Sequence, residues 1–221
     1  MLRRWTRWLL SLLLLALVAI LALMVIFRSV DPPFTPVTAA RTLMGEPVEQ
    51  HWVPLARISP HLVRAVVASE DARFCQHNGV DPGELKAAIE DTLNGRPRGG
   101  STITMQVVKN LFLWPSRSVV RKALEIPLAL ALDLVWSKRR IIEVYLNIAE
   151  WGPGIFGAQA AARSTLGISA ARLGPAEAAR LAVSLPNPLE RDAGAPSRTV
   201  NRLAARLLVK MRAGIAVGCV R

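Results

Sequence analysis

The sequence predicts an all-α domain set behind a single transmembrane helix. Three observations predict it. From Leu9 to Phe27 the only polar side chain is Ser11. Beyond Pro54, Ser, Thr and Asp residues recur just ahead of apolar runs with helical spacing. No stretch alternates at period two for long enough to make a central strand. Composition agrees with this division: 52% of the 221 residues are hydrophobic and 20% charged, which excludes a disordered polyelectrolyte and leaves room for one domain plus an appendage.

The 19 residues from Leu9 to Phe27, at 1.5 Å each, make about 28 Å of helix, close to the hydrocarbon thickness of a bilayer. A cleaved signal peptide has a shorter apolar core and a small-residue cleavage site, so the run reads as an uncleaved signal anchor. Arg3, Arg4 and Arg7 precede it, while Arg28 is soon followed by Asp31. The positive-inside bias therefore puts residues 1–8 in the cytoplasm, the span at 9–27, and the rest outside. The chain has six Trp against five Phe and one Tyr, and Trp5 and Trp8 suit the membrane interface.

The net charge is +12. Setting aside Arg3, Arg4, Arg7 and Arg28 leaves 24 basic against 16 acidic residues outside the membrane, about +8. No nucleic acid is expected there, so the excess calls for an anionic lipid or a diphosphate. Two cysteines are too few for a disulfide scaffold, and no CxxC or Cys/His cluster suggests zinc. Cys75 and Cys219 could form a bridge in an oxidising compartment or stay as small buried hydrophobes.

Residues 28–55, rich in Pro and Thr, read as a stalk, and 56–221 as the globular domain. Ser59-Pro60 is a cap followed by a first-turn proline, starting a helix through Val66, Val67 and Glu70 toward Phe74. Asp81-Pro82 starts the next, and Asn94-Gly95 ends it. Further helices are expected over about 102–113, 118–136, 138–150, 155–166, 175–185 and 198–212. Gly99-Gly100, Trp114-Pro115, Gly152-Pro153-Gly154 and Pro186-Asn187-Pro188 mark loops.

Four runs carry candidate chemistry. Glu70 lies three and four residues after Val67 and Val66, so its carboxylate shares their inward face, where desolvation would raise its pKa toward neutrality. The alternative is a buried Glu paired with an Arg. Asp71, Arg73, His77 and Asn78 offer an ordinary polar network. In Arg98-Gly99-Gly100-Ser101-Thr102, two glycines feed a capped helix start, a place for an anion but also an ordinary turn. Gln106 and Lys109 follow on one side of that helix. Arg121, Lys122 and Glu125 are spaced as helical ion pairs, a solvated salt bridge in the plain case; Pro127 then kinks or breaks the helix. Lys138-Arg139-Arg140 opens an amphipathic helix whose Ile142, Tyr145 and Leu146 read as core.

Together these runs resemble a known family. Glu70-Asp71-Ala72-Arg73-Phe74-Cys75-Gln76-His77-Asn78-Gly79 is similar to the EDxxFxxHxG signature of the peptidoglycan glycosyltransferases, glycosyltransferase family 51. RGGSTITMQVVKNLF, RKALE and KRRIIEVYLNIAEWGPGIFGAQAAA resemble its later motifs in the same order, across about Ile58 to Pro188. With one span and no room for a transpeptidase domain, the chain looks like the monofunctional biosynthetic type. Where the family shows Gln-Gln this chain has Met105-Gln106, so Gln106 is carried over and Met105 is expected to pack.

The resemblance implies a lysozyme-like domain with a membrane-proximal, jaw-like part. It implies lipid II and a growing glycan strand as substrates, joined by inverting β-1,4 transfer. Glu70 is then the general base and Glu125 the second carboxylate; Lys109, Arg121 and Lys122 meet the leaving diphosphate; Thr102, Gln106 and Asn110 are polar donor-groove positions. No cofactor is required, though Mg or Mn could assist the diphosphate, with Asp71 the one candidate ligand. It also implies the inner membrane with the domain in the periplasm, and cell-wall synthesis or division proteins as candidate partners. A membrane-anchored lytic muramidase-like hydrolase and a non-enzymatic basic scaffold are the alternatives.

Overall fold

The computed structural model describes residues 2–96, 99–115 and 118–220; Arg98 of the glycine-rich run and the Arg3 side chain lie outside the described residues. The chain divides into two units, Met1–Pro33 and Phe34–Arg221. The first is built on α1 (Leu2–Phe27), in which Arg4–Phe27 has a mean hydropathy of 3.2 and is long and apolar enough to cross a membrane. Its Leu and Val side chains are exposed on all sides, an apolar surface suited to lipid.

The second unit is helical. Its described helices are α2 (Pro36–Leu43), α3 (Pro60–Glu70), α4 (Pro82–Leu93), α5 (Ile103–Phe112), α6 (Val119–Val135), α7 (Lys138–Ile148), α8 (Ala158–Leu166), α9 (Pro175–Ser184) and α10 (Arg198–Arg212). Starts follow the caps: the side chains of Ser59, Asp81, Thr102, Ser118, Ser137 and Ser197 each accept from a backbone N–H of their own first turn. α3 packs on α9 and α10, and α5 on α6 and α7. Leu62, Val66 and Val67 of α3, Ile103, Met105 and Val108 of α5, and Ile141 and Leu146 of α7 are fully buried. Each such side chain contributes about 1.5–3 kcal/mol. Met105 packs, as its place beside Gln106 implied.

Strands also occur. β1 (Glu49–Gln50), β2 (Glu150–Gly152) and β3 (Ile155–Phe156) form a sheet of order β1-β3-β2, with β1 parallel and β2 antiparallel to β3. Strands of two or three residues are too short to show alternation. They shorten the helices expected over 138–150 and 155–166, because the Gly152-Pro153-Gly154 turn folds the chain back on itself; Gly154 sits at φ +74°, where a side chain would strain.

The stalk expected over 28–55 is a second difference. Thr35 and Thr38 form a capping box for α2, and β1 pairs with β3. The buried Asn147 side chain accepts from Val53 N–H and donates to Val53 C=O, both at 2.9 Å, and Glu143 accepts from Leu55 N–H at 2.8 Å. Polar side chains of α7 thus satisfy an extended backbone that lacks apolar periodicity, and the folded unit begins near Phe34. Pro127 does not end α6; Pro127 and Ala123, whose carbonyl loses its helical partner, are both exposed.

Cys75 and Cys219 are joined by a disulfide, with Cα atoms 5.6 Å apart and a sequence separation of 144. Residues after Arg212, which sequence left without a role, are thereby fastened to the loop following α3. Val220 is buried and its carbonyl accepts from Arg139.

Candidate active site

Glu70 is the last residue of α3, and the loop after it is tightly held. Asp71, 7% exposed, accepts from His77 Nε2 at 2.9 and 3.1 Å and from the Ile103 N–H at 3.0 Å. The end of α3 is thereby clamped to the start of α5. Gly79, at φ +78°, closes the loop; a Cβ there would run into the Ala129 carbonyl of α6. Its own carbonyl accepts from the Thr102 hydroxyl at 2.6 Å.

This clamp sets Glu70 beside Gln106, whose Nε2 donates to Glu70 Oε2 at 3.1 Å, while Ser69 donates to the other oxygen at 3.3 Å. Burial raises the Glu70 pKa above its ordinary value; the Gln106 and Ser69 hydrogen bonds and the charges of Lys109 and Arg191 oppose that rise.

A cleft of about 570 Å³ brings together Glu70, Gln106, Lys109, Asn110 and Arg121, five of the eight catalytic and substrate-binding positions expected from sequence. Burial lowers the pKa of Lys109; Arg121 and Lys122 add to that, while Glu125 and Glu70 oppose it. An anion entering the cleft would compensate this poorly solvated charge.

The other three positions lie elsewhere. Glu125 is 2% exposed and does not line this cleft; it pairs with Arg121 and, at 2.8 Å, with Lys122, so the surface salt bridge is in fact a buried one. Lys122 also donates to Ser101 Oγ at 2.5 Å, tying the glycine-rich turn to α6. Thr102 is a buried cap: it accepts from Met105 N–H and donates to the Gly79 carbonyl, and it borders a second cavity of about 340 Å³ that also reaches Glu70. Asp71 fits poorly as a metal ligand because both its oxygens already accept hydrogen bonds. Among the described residues no group of three His, Cys, Asp or Glu gathers as a metal site.

The cleft also holds residues that sequence reasoning passed over. Tyr145 of α7 donates to Gln106 Oε1 at 3.3 Å; sequence grouped it with Ile142 and Leu146 as core, and it is indeed 1% exposed. Glu150 lines the same cleft and is paired with Arg41 at 2.8 Å. The Pro186–Pro188 loop signal lies on the cleft wall, though nothing in its residue types announced that. The basic run at 138–140 serves the fold: Lys138 bridges Asp133 and the His77 carbonyl, and Arg140 pairs with Glu143.

The family profile described as transglycosylase matches residues 37–212. The chain belongs to the transglycosylase family. It is 54% identical over 171 residues to a biosynthetic peptidoglycan transglycosylase of Rhizobium meliloti, covering 77% of this chain and 72% of that one. It is 53% identical over 181 residues to one of Agrobacterium fabrum (81% and 79%), and 53% identical over 192 residues to one of Rhodopseudomonas palustris strain HaA2 (86% and 85%). The transglycosylase match starts within α2, in keeping with a folded unit that includes the residues first read as stalk.

Proposed function

We propose that the chain polymerises lipid II into linear glycan strands by inverting β-1,4 glycosyl transfer, releasing polyprenyl diphosphate. The observation that carries this is the shared cleft: a partly desolvated carboxylate, Glu70, lining it together with Lys109 and Arg121. The acceptor's 4-hydroxyl gives its proton to Glu70 as its oxygen attacks C1 of the donor sugar. The C1–O bond to the diphosphate breaks on the opposite face, so configuration inverts. The leaving diphosphate departs as an anion and needs no proton; Lys109, Arg121 and Lys122 meet its charge, and Glu125, paired with Arg121 and Lys122, holds those two in place. A glycosidase would instead need a general acid at the leaving oxygen, and Glu125 is locked between two cations. No cofactor is required; Mg or Mn would at most add to the neutralisation of the substrate's own diphosphate.

α1 is the single membrane anchor, with its N-terminus in the cytoplasm and the catalytic unit on the periplasmic side of the inner membrane. The Cys75–Cys219 disulfide supports an oxidising compartment. Anchoring keeps the cleft near a substrate confined to the bilayer, and proteins of wall synthesis or division are the expected partners. Labelled lipid II incubated with the purified full chain in detergent tests the activity. Glycan polymer should form with the wild type and not with Glu70→Gln; polymer from the variant at near wild-type rate would remove Glu70 as the base, and release of soluble muropeptides from sacculi would favour the hydrolase.

A further inference from the structure

The chain's one tyrosine lies within hydrogen-bond reach of the amide that touches Glu70. Tyr145 O–H reaches Gln106 Oε1 at 3.3 Å, and Gln106 Nε2 reaches Glu70 Oε2 at 3.1 Å. The three side chains come from α7, α5 and α3, so this short row spans three core helices. From this geometry we propose that Tyr145 is a positioning residue for the transfer reaction, one that acts through Gln106 to hold Glu70 as an ionised base.

The direction of the row is set by hydrogen-bond chemistry. An ionised carboxylate only accepts, so Gln106 must turn its NH2 toward Glu70 and its carbonyl away. That carbonyl then needs a donor, and the phenol supplies one. For a protonated Glu70 to donate its O–H to the Gln106 carbonyl, the amide would have to flip, and its NH2 would face Tyr145. The phenol could accept from that NH2, but it would then lose Gln106 Oε1 as the acceptor for its own hydrogen. A buried donor left unpaired is costly. Tyr145 thus favours the amide orientation that suits Glu70 in its charged form.

Two further features support the row. Tyr145 is 1% exposed, so water does not readily substitute for its hydroxyl. Burial, and after it the negative charges of Glu70 and Asp71, raise the phenol's pKa well above its ordinary value, so it keeps its proton at any pH at which the enzyme works. The charged and titratable groups around Glu70 and the two cavities it borders include Lys109 from α5, Arg121 from α6, Glu150 from β2, Arg191 after α9, Tyr145 from α7, Arg73, Asp81 and Glu84 from the second cavity, and Asp71, which is occupied by His77. Lys210 of α10 is engaged with the Ala68 carbonyl. Of these groups, Tyr145 is the one hydrogen-bonded to the amide that Glu70 itself accepts from.

The proposal rests on Glu70 being the general base, and the two ideas fail separately. If Glu70→Gln polymerises lipid II normally, the base assignment fails first. With that assignment intact, Tyr145→Phe removes one oxygen and keeps the ring. The acid limb of its kcat profile should move up by about half a pH unit to one unit, the size of one lost hydrogen bond. Activity at the acid side should fall several-fold and recover at higher pH, with KM for lipid II unchanged. Gln106→Leu in the Tyr145→Phe background should add a further shift, whereas Tyr145→Phe in a Gln106→Leu background should add none. A Tyr145→Phe chain that folds normally in circular dichroism and shows a superimposable pH profile would overturn the relay. So would a pH-independent loss, which is the mark of mere packing damage. If Tyr145→Phe does not fold, the Gln106→Leu profile decides: an unmoved acid limb there equally overturns the proposal.

Discussion

Glu70 and Glu125 are both acids on helices that face inward, yet their surroundings are opposite. Glu70 ends α3 on the cleft wall, with a neutral amide and a hydroxyl as hydrogen-bond partners. Glu125 sits inside α6, with its two oxygens on Arg121 and Lys122. Desolvation without a contacting cation suits the first to the proposed role of proton acceptor; cations on both oxygens suit the second to that of a fixed counter-charge. Under the proposed mechanism the same side chain serves base work in one place and charge positioning in the other, and the difference lies in which helix faces each.

The sharpest way to break this contrast is to neutralise each acid in turn. Glu70→Gln should cost about 10³-fold or more in polymerisation rate, because the proton of the attacking hydroxyl loses its acceptor. Binding of lipid II, measured on the same variant, should hardly change. Loss of binding together with rate would show that Glu70 belongs to the charge-holding end of the cleft as well.

The cations come next. Lys109→Ala or Arg121→Ala should lower the rate by about 10²-fold, as expected for a removed stabiliser of transition-state charge. The defect should be larger with the natural diphosphate donor than with one carrying a less charged leaving group. Equal defects with both donors would mean that these cations do not meet the leaving group.

Glu125→Gln should be milder in rate, about 10-fold, since the cations remain but are less well held. Its stability cost should be about 1–3 kcal/mol, from charged hydrogen bonds exchanged for neutral ones. Thermal unfolding of the full chain in detergent reads the cost; a variant as stable as wild type and fully active would show the buried pairs to be idle.

The contrast between the two acids was only half visible in the sequence. Spacing after Val66 and Val67 turned Glu70 inward, and local caps placed the helix starts, because both depend on neighbours within one or two turns. The same local rule left Glu125 on a surface salt bridge, since i, i+4 spacing says nothing about what packs over the pair. Burial there comes from how α5 and α6 meet. The Thr102 hydroxyl was likewise out of reach of local rules: its acceptor is the Gly79 carbonyl, distant in sequence. The Cys75–Cys219 bridge and the Val53–Asn147 pairing join segments about a hundred residues apart or more, with no periodic signal at either end. Tyr145 reads as core and is core; only the location of its hydroxyl distinguishes it.

The smallest expected effect concerns stability and distinguishes the two acids without any substrate. The folded-state pKa of Glu70 is raised above its ordinary 4.5 by burial, so the folded chain holds that proton more tightly than the unfolded chain does. Folding is therefore unpenalised by Glu70 at pH values below about 4.5, loses stability as pH rises through the window up to the raised value, and stays lower above it. Glu70→Gln carries no such penalty. Its melting temperature should exceed that of wild type by a few degrees at neutral pH, and the gap should close as pH falls toward 4.5. Glu125→Gln should show the reverse sign at neutral pH, because that acid is surrounded by positive charge. If Glu70→Gln melts below wild type at neutral pH, then Glu70 stabilises the fold in its ionised form, and its burial is not what prepares it to take a proton.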